Sequence, residues 1–167
     1  MGDFTMTAAE VLEAIRHHHR RAAIVSEVVI SDHDWVEHFA RETGGRAERR
    51  IDALMFASLQ RTAIEIKVSK PDVARESWGK VGPWVRVTHR FVYAVPAGLI
   101  EHPPYYRAGL WWVYPDGRIE VRRKAKPNPY PEPLPQHVVQ ALAYRSLGRS
   151  PIDGTESDQS ELEVIDG

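Results

Sequence analysis

The sequence predicts an α/β protein, with α+β-like features: a mixed central sheet of five or six strands flanked by helices. Three observations carry this. Runs rich in β-branched and aromatic residues, such as "AAIVSEVVIS" and "THRFVYAVPAGL", read as strands. Segments with apolar residues at helical spacing alternate with them. Two pairs of strand-like runs are joined by short turns, as hairpins are. The resulting order is helix, strand, small helix, strand, strand, helix, strand, hairpin, helix.

The first element, "TAAEVLEAIRHHHRR", has Val11, Leu12 and Ile15 as its apolar stripe. Thr7 and Glu10 have the spacing of a capping box. His17, His18 and His19 point about 100° apart on a helix, so they suit a polar helix end better than one metal ion. "AAIVSEVVIS" follows as a strand, interrupted by Glu27. "DHDWVEHFARETGG" reads as a small helix over about residues 34–43, with Trp35, Val36 and Phe39 inward. Asp32 or Asp34 caps it, and Gly44 and Gly45 end it.

"RRIDALMFAS", a turn at "LQR" and "TAIEIKVS" form the first hairpin. "KPDVARESWGKV" is the next helix, with Ser69 as cap, Pro71 in the first turn, and Val73 and Trp78 expected to be buried. "RFVYAVP" is expected near the middle of the sheet. "AGLWWVYPDGRIEVRRK" is the second hairpin, turning at Pro115, Asp116 and Gly117. "KPNPYPEPLP" is an extended, proline-rich wrap near 127–135. A closing helix near 136–147 is expected to bury Val138, Val139, Leu142 and Leu147. Residues 1–150 are thus expected to form a single domain.

Composition excludes several classes. With 167 residues the chain is long enough for one real core. It has no cysteine, so disulfides and thiolate zinc sites are out. No apolar run is long enough for a membrane span, and no signal peptide opens the chain, so a cytoplasmic protein is expected. Neither a glycine-rich phosphate loop nor a nucleophile elbow is present. The net charge of −1 hides an asymmetry. The tail over 151–167 holds six acids and no Lys or Arg, leaving the rest at +5. The tail is expected to be flexible and to compete with nucleic acid for the basic body, an effect that fades with salt.

The chemistry concentrates in "RRIDALMFASLQRTAIEIKVSKPD". Alternation along a strand puts Ile64, Ile66 and Val68 on one face and Glu65 and Lys67 on the other. If the hairpin brings Asp52 to Glu65, two carboxylates meet on an apolar scaffold and repel. A divalent cation removes that cost, and oxygen ligands suit Mg²⁺ or Mn²⁺, with the Ile66 carbonyl as a further ligand. Such an ion serves phosphodiester hydrolysis, with Lys67 acting on the attacking water or the phosphate. The competing reading is a salt bridge on an exposed edge strand, where Lys protects against aggregation. Since each charge is costly in an apolar setting, Lys67→Met and Asp52→Asn are expected to raise stability without metal.

The spacing of Asp52 and the Glu65-x-Lys67 pair, on a hairpin before a helix, resembles the PD-(D/E)XK nuclease superfamily. More narrowly, residues 25–125 resemble the MmcB-like family of bacterial DNA-repair proteins. The similar positions are Asp52, Glu65, Lys67, Ser69, Asp72, Trp78 and the run 91–96. The resemblance implies a restriction-endonuclease-like fold and a Mg²⁺- or Mn²⁺-dependent deoxyribonuclease, endo- or exonuclease, in repair, recombination or a mobile-element context. Its partner would be DNA, single-stranded or duplex, and a homodimer is one way to cut both strands. The alternative is a non-catalytic DNA-binding or protein-interaction domain on the same scaffold. Ile51, where the superfamily name has Pro, departs from the pattern, and the small helix over 34–43 looks inserted.

Relatives of this kind add an acid before the Asp. Glu27, an expensive carboxylate in an apolar strand, is the chosen candidate; Glu13 is a second, and Glu10 already has its capping role. Asp72 is either a helix-terminal acid or a contact for Lys67. Arg75, Lys80 and Arg86 are candidates for a phosphate track. Trp84, Trp111 and Trp112 are expected in the core, except that adjacent Trp111 and Trp112 face opposite ways, leaving one able to stack on an unpaired base.

Overall fold

A computed structural model of the protein describes residues 5–31 and 48–148. The expected helix over 34–43 and the acidic tail lie outside them. The described residues contain a six-stranded mixed sheet whose spatial order follows the chain: β1 (Ala23–Ser31), β2 (Glu48–Ala57), β3 (Gln60–Ile66), β4 (Arg90–Pro96), β5 (Gly109–Val113) and β6 (Ile119–Arg123). Strands β1, β2 and β3 are antiparallel neighbours. Strand β4 runs parallel to both β3 and β5, and β6 turns back antiparallel. Parallel neighbours need a crossover. Helices α2 (Lys70–Ala74) and α3 (Trp78–Val87) supply the one from β3 to β4.

Helix α1 (Ala8–His18) starts with the expected box: Glu10 N–H donates to Thr7 Oγ1 at 3.2 Å, and Thr7 N–H donates to Glu10 Oε2 at 2.7 Å. Its Val11 and Ile15 are fully buried against one face of the sheet, in a cluster with Ala53, Met55, Ile64, Ile66, Val92, Ala94 and Trp111. The three histidines form the basic end of the helix; the His19 ring stacks on Trp111 at 5.0 Å.

The first hairpin turns at Ser58 and Leu59, one step before the expected "LQR", because Ala57 pairs with Gln60. Both turn residues have positive φ, 50° and 60°, as the twist of a two-residue hairpin demands. The second hairpin turns as expected, with Gly117 at φ 83°. "RFVYAVP" lies inside the sheet between β3 and β5, with Phe91 through Val95 all buried.

The helix expected over 70–81 is two helices. The first is capped by Ser69, whose hydroxyl accepts from Asp72 N–H at 3.3 Å, and it ends at Ala74. The chain is extended at Ser77, and α3 then continues through Pro83 to Val87. Proline lacks the N–H that would reach back to Gly79. The Gly79 carbonyl accepts instead from Arg49 Nε at 2.8 Å, while Trp84 Nε1 donates to the Arg49 carbonyl at 3.0 Å. Arg49 therefore clasps α3 to β2 from both ends. With this break, Trp78 is not buried as expected: it is 46% exposed.

The proline-rich run takes no helix or strand and lies along the ends of α3 and β4, with Asn128 N–H donating to His89 O and Glu132 N–H to Arg86 O. The chain divides into two compact units inside this run, between Pro133 and Leu134. The second unit contains α4 (Gln136–Ser146). Within it Val138 is buried, but Val139 and Leu147 are exposed, contrary to expectation; neighbouring helix positions point about 100° apart. Among the described residues, no helix is long and apolar enough to cross a membrane.

Candidate functional site

The two faces of β3 differ as the alternation requires. Ile64 and Ile66 enter the α1 cluster, and Val68 packs beside it. Glu65 and Lys67 point to the other side, where α3 packs on β2 and β4. Since β3 is the third of six strands and Lys67 is only 5% exposed, the exposed-edge reading does not hold.

Asp52 reaches this point from β2. The β1–β2 ladder pairs Ser26 with Ala53 and Val28 with Ile51, and the β2–β3 ladder begins only at Ala53 and Ile64. Positions 27 and 52 fall in the opening between them. The Asp52 side chain fills the gap: its Oδ2 accepts the Ile66 N–H at 2.7 Å. The Ile66 N–H thus fixes the Asp52 carboxylate in place. Glu27 sits across from Asp52 in register with φ 53°, an uncommon conformation for a residue with a side chain. Its carboxylate turns outward, 68% exposed, and pairs with Arg50 at 3.4 Å. Glu27 and Arg50 therefore flank the site from β1 and β2.

Lys67 is the hub. Its Nζ donates to Glu65 Oε1 at 2.9 Å and lies 3.3 Å from Glu76 Oε2 and 3.9 Å from Asp72 Oδ1. Glu76, which sequence reasoning passed over, has a side chain only 4% exposed. One of its oxygens accepts from Ser77 N–H at 3.1 Å. The other, Oε2, is buried beside Lys67 and the Tyr93 hydroxyl without completing a well-directed hydrogen bond. The break between α2 and α3 turns Glu76 inward; a continuous helix gives no sign of it.

The charges set the titration. Burial, then repulsion from Asp52, pushes the Glu65 carboxyl up to about 7, against the pull of Lys67. Burial also raises Asp52, offset in part by the Ile66 N–H, Lys67 and Arg50. For Lys67, burial works against the charge, but Glu65, Glu76 and Asp72 outweigh it, and the ammonium is held above its ordinary value. Tyr93 is raised by burial and by Glu76 and Glu65, so it stays a neutral phenol.

A cavity of about 270 Å³ opens beside these carboxylates, lined by Asp52, Glu65, Glu48, Arg49, Arg50, Lys80 and Val81. Of the expected phosphate track, Lys80 is here. Arg75 pairs with Asp72 at 3.6 Å, and Arg86 lies near Glu132 at 3.9 Å. Glu10 and Glu13 line a separate cavity against the second hairpin. Trp84 and Trp111 are core; Trp112 is half-buried, with Arg122 over its ring at 4.2 Å.

Does this donor set fit a divalent cation? Among the described residues, no three His, Asp or Glu side chains converge as a complete ligand group. Asp52 and Glu65 do converge, repel, and face an open cavity. Mg²⁺ is ordinarily held by one or two carboxylates, with water and substrate phosphate completing its shell. The pair fits that mode of binding.

No family model matches the chain, and no curated protein does. A solved structure is similar over 99% of this chain and 97% of its own, with a TM-score of 0.55 and 15% identity. It is the SPO1766 protein of unknown function from Silicibacter pomeroyi. At that identity the likeness is one of fold: a mixed sheet flanked by helices.

Proposed function

We propose that the chain is a Mg²⁺- or Mn²⁺-dependent deoxyribonuclease of the PD-(D/E)XK, restriction-endonuclease-like type, akin to the MmcB-like DNA-repair proteins. The observation that carries this reading is the meeting of Asp52, Glu65 and Lys67 where two strand ladders open, beside a cavity also lined by Arg49, Arg50 and Lys80 and by the acid Glu48. A bound divalent cation lowers the pKa of a water and screens phosphate charge. Asp52 and Glu65 would hold it, with the Ile66 carbonyl as a further ligand. The Ile66 N–H fixes the Asp52 carboxylate, and Glu76 fixes Lys67 from behind. Because Lys67 is held as an ammonium, it donates to the attacking water or to a phosphate oxygen; it does not remove a proton. Arg49, Arg50 and Lys80 offer positive charge to the phosphodiester backbone at the cavity.

The test is cleavage of single-stranded, duplex and flapped DNA with Mg²⁺, Mn²⁺ or chelator. Wild type cuts with a divalent cation only. Asp52→Asn loses cation binding and cleavage together, whereas Lys67→Met loses cleavage and keeps cation binding. A wild type that cuts none of these DNAs, or a Lys67→Met variant that cuts as well as wild type, overturns the proposal.

A further inference from the structure

The break that turns Glu76 inward turns Trp78 outward. The indole is 46% exposed, yet it is held in place. It lies over Gly82, one helical turn on, so closely that a Cβ there would meet ring atoms at 3.3 Å. The indole also meets the Tyr105 ring at 5.1 Å, tilted by 56°, and Tyr105 meets Tyr106 edge-on at 5.4 Å. Tyr106 is 64% exposed. Three aromatic rings thus form a continuous surface whose two ends are open to solvent.

This surface is edged with positive charge. Lys126 Nζ lies 5.6 Å from the centre of the Tyr106 ring. The small pocket beside Tyr105 is lined by Arg90, Arg107, Lys126 and His89, and by no acid. Trp78 also stands next to the candidate site along α3. Glu76, two residues before it, contacts Lys67, and Lys80, two residues after it, lines the carboxylate cavity. Two residues of chain span at most roughly 7 Å.

We infer that Trp78, Tyr105 and Tyr106 form a stacking platform for the bases of an unpaired nucleic-acid strand, whose phosphates face Lys126, Arg107 and Lys80. The inference rests on the nuclease reading only for the polarity of the whole arrangement: the platform leads a single strand toward Asp52 and Glu65. Exposed rings recognise any base, because every base has a π face, and flanking cations follow the backbone. In a duplex the base faces are covered by their neighbours, so the platform favours single strands and frayed or flapped ends.

The experiment measures binding without cutting, in chelator, with the full chain. The probes are an oligothymidine of about twelve nucleotides, an abasic strand of equal length and charge, and a duplex of that length. The expected result is that oligothymidine binds about a hundredfold more tightly than the abasic strand. Trp78→Ala and Tyr106→Ala each lose about tenfold for oligothymidine and nothing for the abasic strand. Tyr106→Ala decides alone if Trp78→Ala does not fold. Equal affinities for the two strands, or variants that bind oligothymidine as wild type does, overturn the platform. A chain that prefers bases yet cuts no DNA keeps the platform and removes the nuclease reading. A chain that cuts duplex but binds both strands equally does the reverse.

Discussion

The last residue of β3 and the one after it lie at the same depth and live in opposite environments. Ile66 is 6% exposed and Lys67 is 5% exposed. Ile66 meets Ala53, Met55 and the apolar stripe of α1, so its face is held by area removed from water. Lys67 meets Glu65, Glu76 and Asp72, so its face is held by charges that compensate one another. The first kind of packing is indifferent to pH and ions. The second is not: its balance shifts with protons, through Glu65.

The largest break in this comparison is Lys67→Met. Removing one partner of a buried charge cluster should cost about 3–5 kcal/mol, against about 0.5–1.5 kcal/mol for Ile66→Val on the other face. This reverses the expectation drawn from the sequence, where Lys67 read as a costly charge: it is the cation on which three carboxylates rely. Urea unfolding of the two variants at pH 7 measures the difference. A Lys67→Met chain as stable as wild type would mean the cluster is not charged.

Next in size is the pH dependence of Glu65. Its folded pKa of about 7 lies above the ordinary 4.5. The folded state therefore binds the proton more tightly than the unfolded state. That contribution is full below pH 4.5 and is lost as the pH rises through 7, by about 3 kcal/mol. Glu65→Gln lacks this loss. Its stability relative to wild type should therefore improve steadily from pH 4.5 to 8 in chelator, whatever its constant offset from losing the Lys67 contact. Parallel stability curves for the two proteins would refute the raised pKa.

Divalent cation should restore the wild type where protons no longer help. At a hundredfold excess over its dissociation constant, Mn²⁺ should stabilise the folded state by about 2.7 kcal/mol. The gain should be larger at pH 8 than at pH 5, because protonated Glu65 is a poor ligand. It should vanish in Asp52→Asn. Thermal melts with Mn²⁺ and chelator at both pH values give the answer.

The smallest effect lies away from both faces, at the first hairpin. Ser58 and Leu59 hold positive φ without glycine or asparagine, and Leu59 is fully exposed. Leu59→Gly should stabilise by about 0.5–1 kcal/mol by relieving that strain, equally at every pH. A stabilisation that varied with pH would show that the turn and the charge cluster are coupled.

How much of this was legible in the residues differs from place to place. The Thr7–Glu10 box, the Ser69 cap, the Pro115–Gly117 turn and the two faces of β3 are local. Each is set by hydrogen-bonding reach or by the two-residue alternation of a strand, so the sequence alone determines them. The same alternation brought Glu65 and Lys67 together. The hairpin brought Asp52 beside them, although it turns one step earlier than its sequence suggests. Glu76 and Trp78 were not legible. Helical spacing ran unbroken across them, and only a break between α2 and α3 sends one inward and the other out. That break lies at the extended Ser77, and α3 beyond it is fixed by Arg49, thirty positions before Gly79, which donates to the Gly79 carbonyl that Pro83 leaves free. The depth of Lys67 likewise depends on β4, where Ala94 O accepts its N–H, and on Asp72 and Glu76 closing over its ammonium. Local residue order thus determined which side chains share a face. Only the tertiary structure decided which of those faces were closed, because burial is conferred by segments distant in the chain.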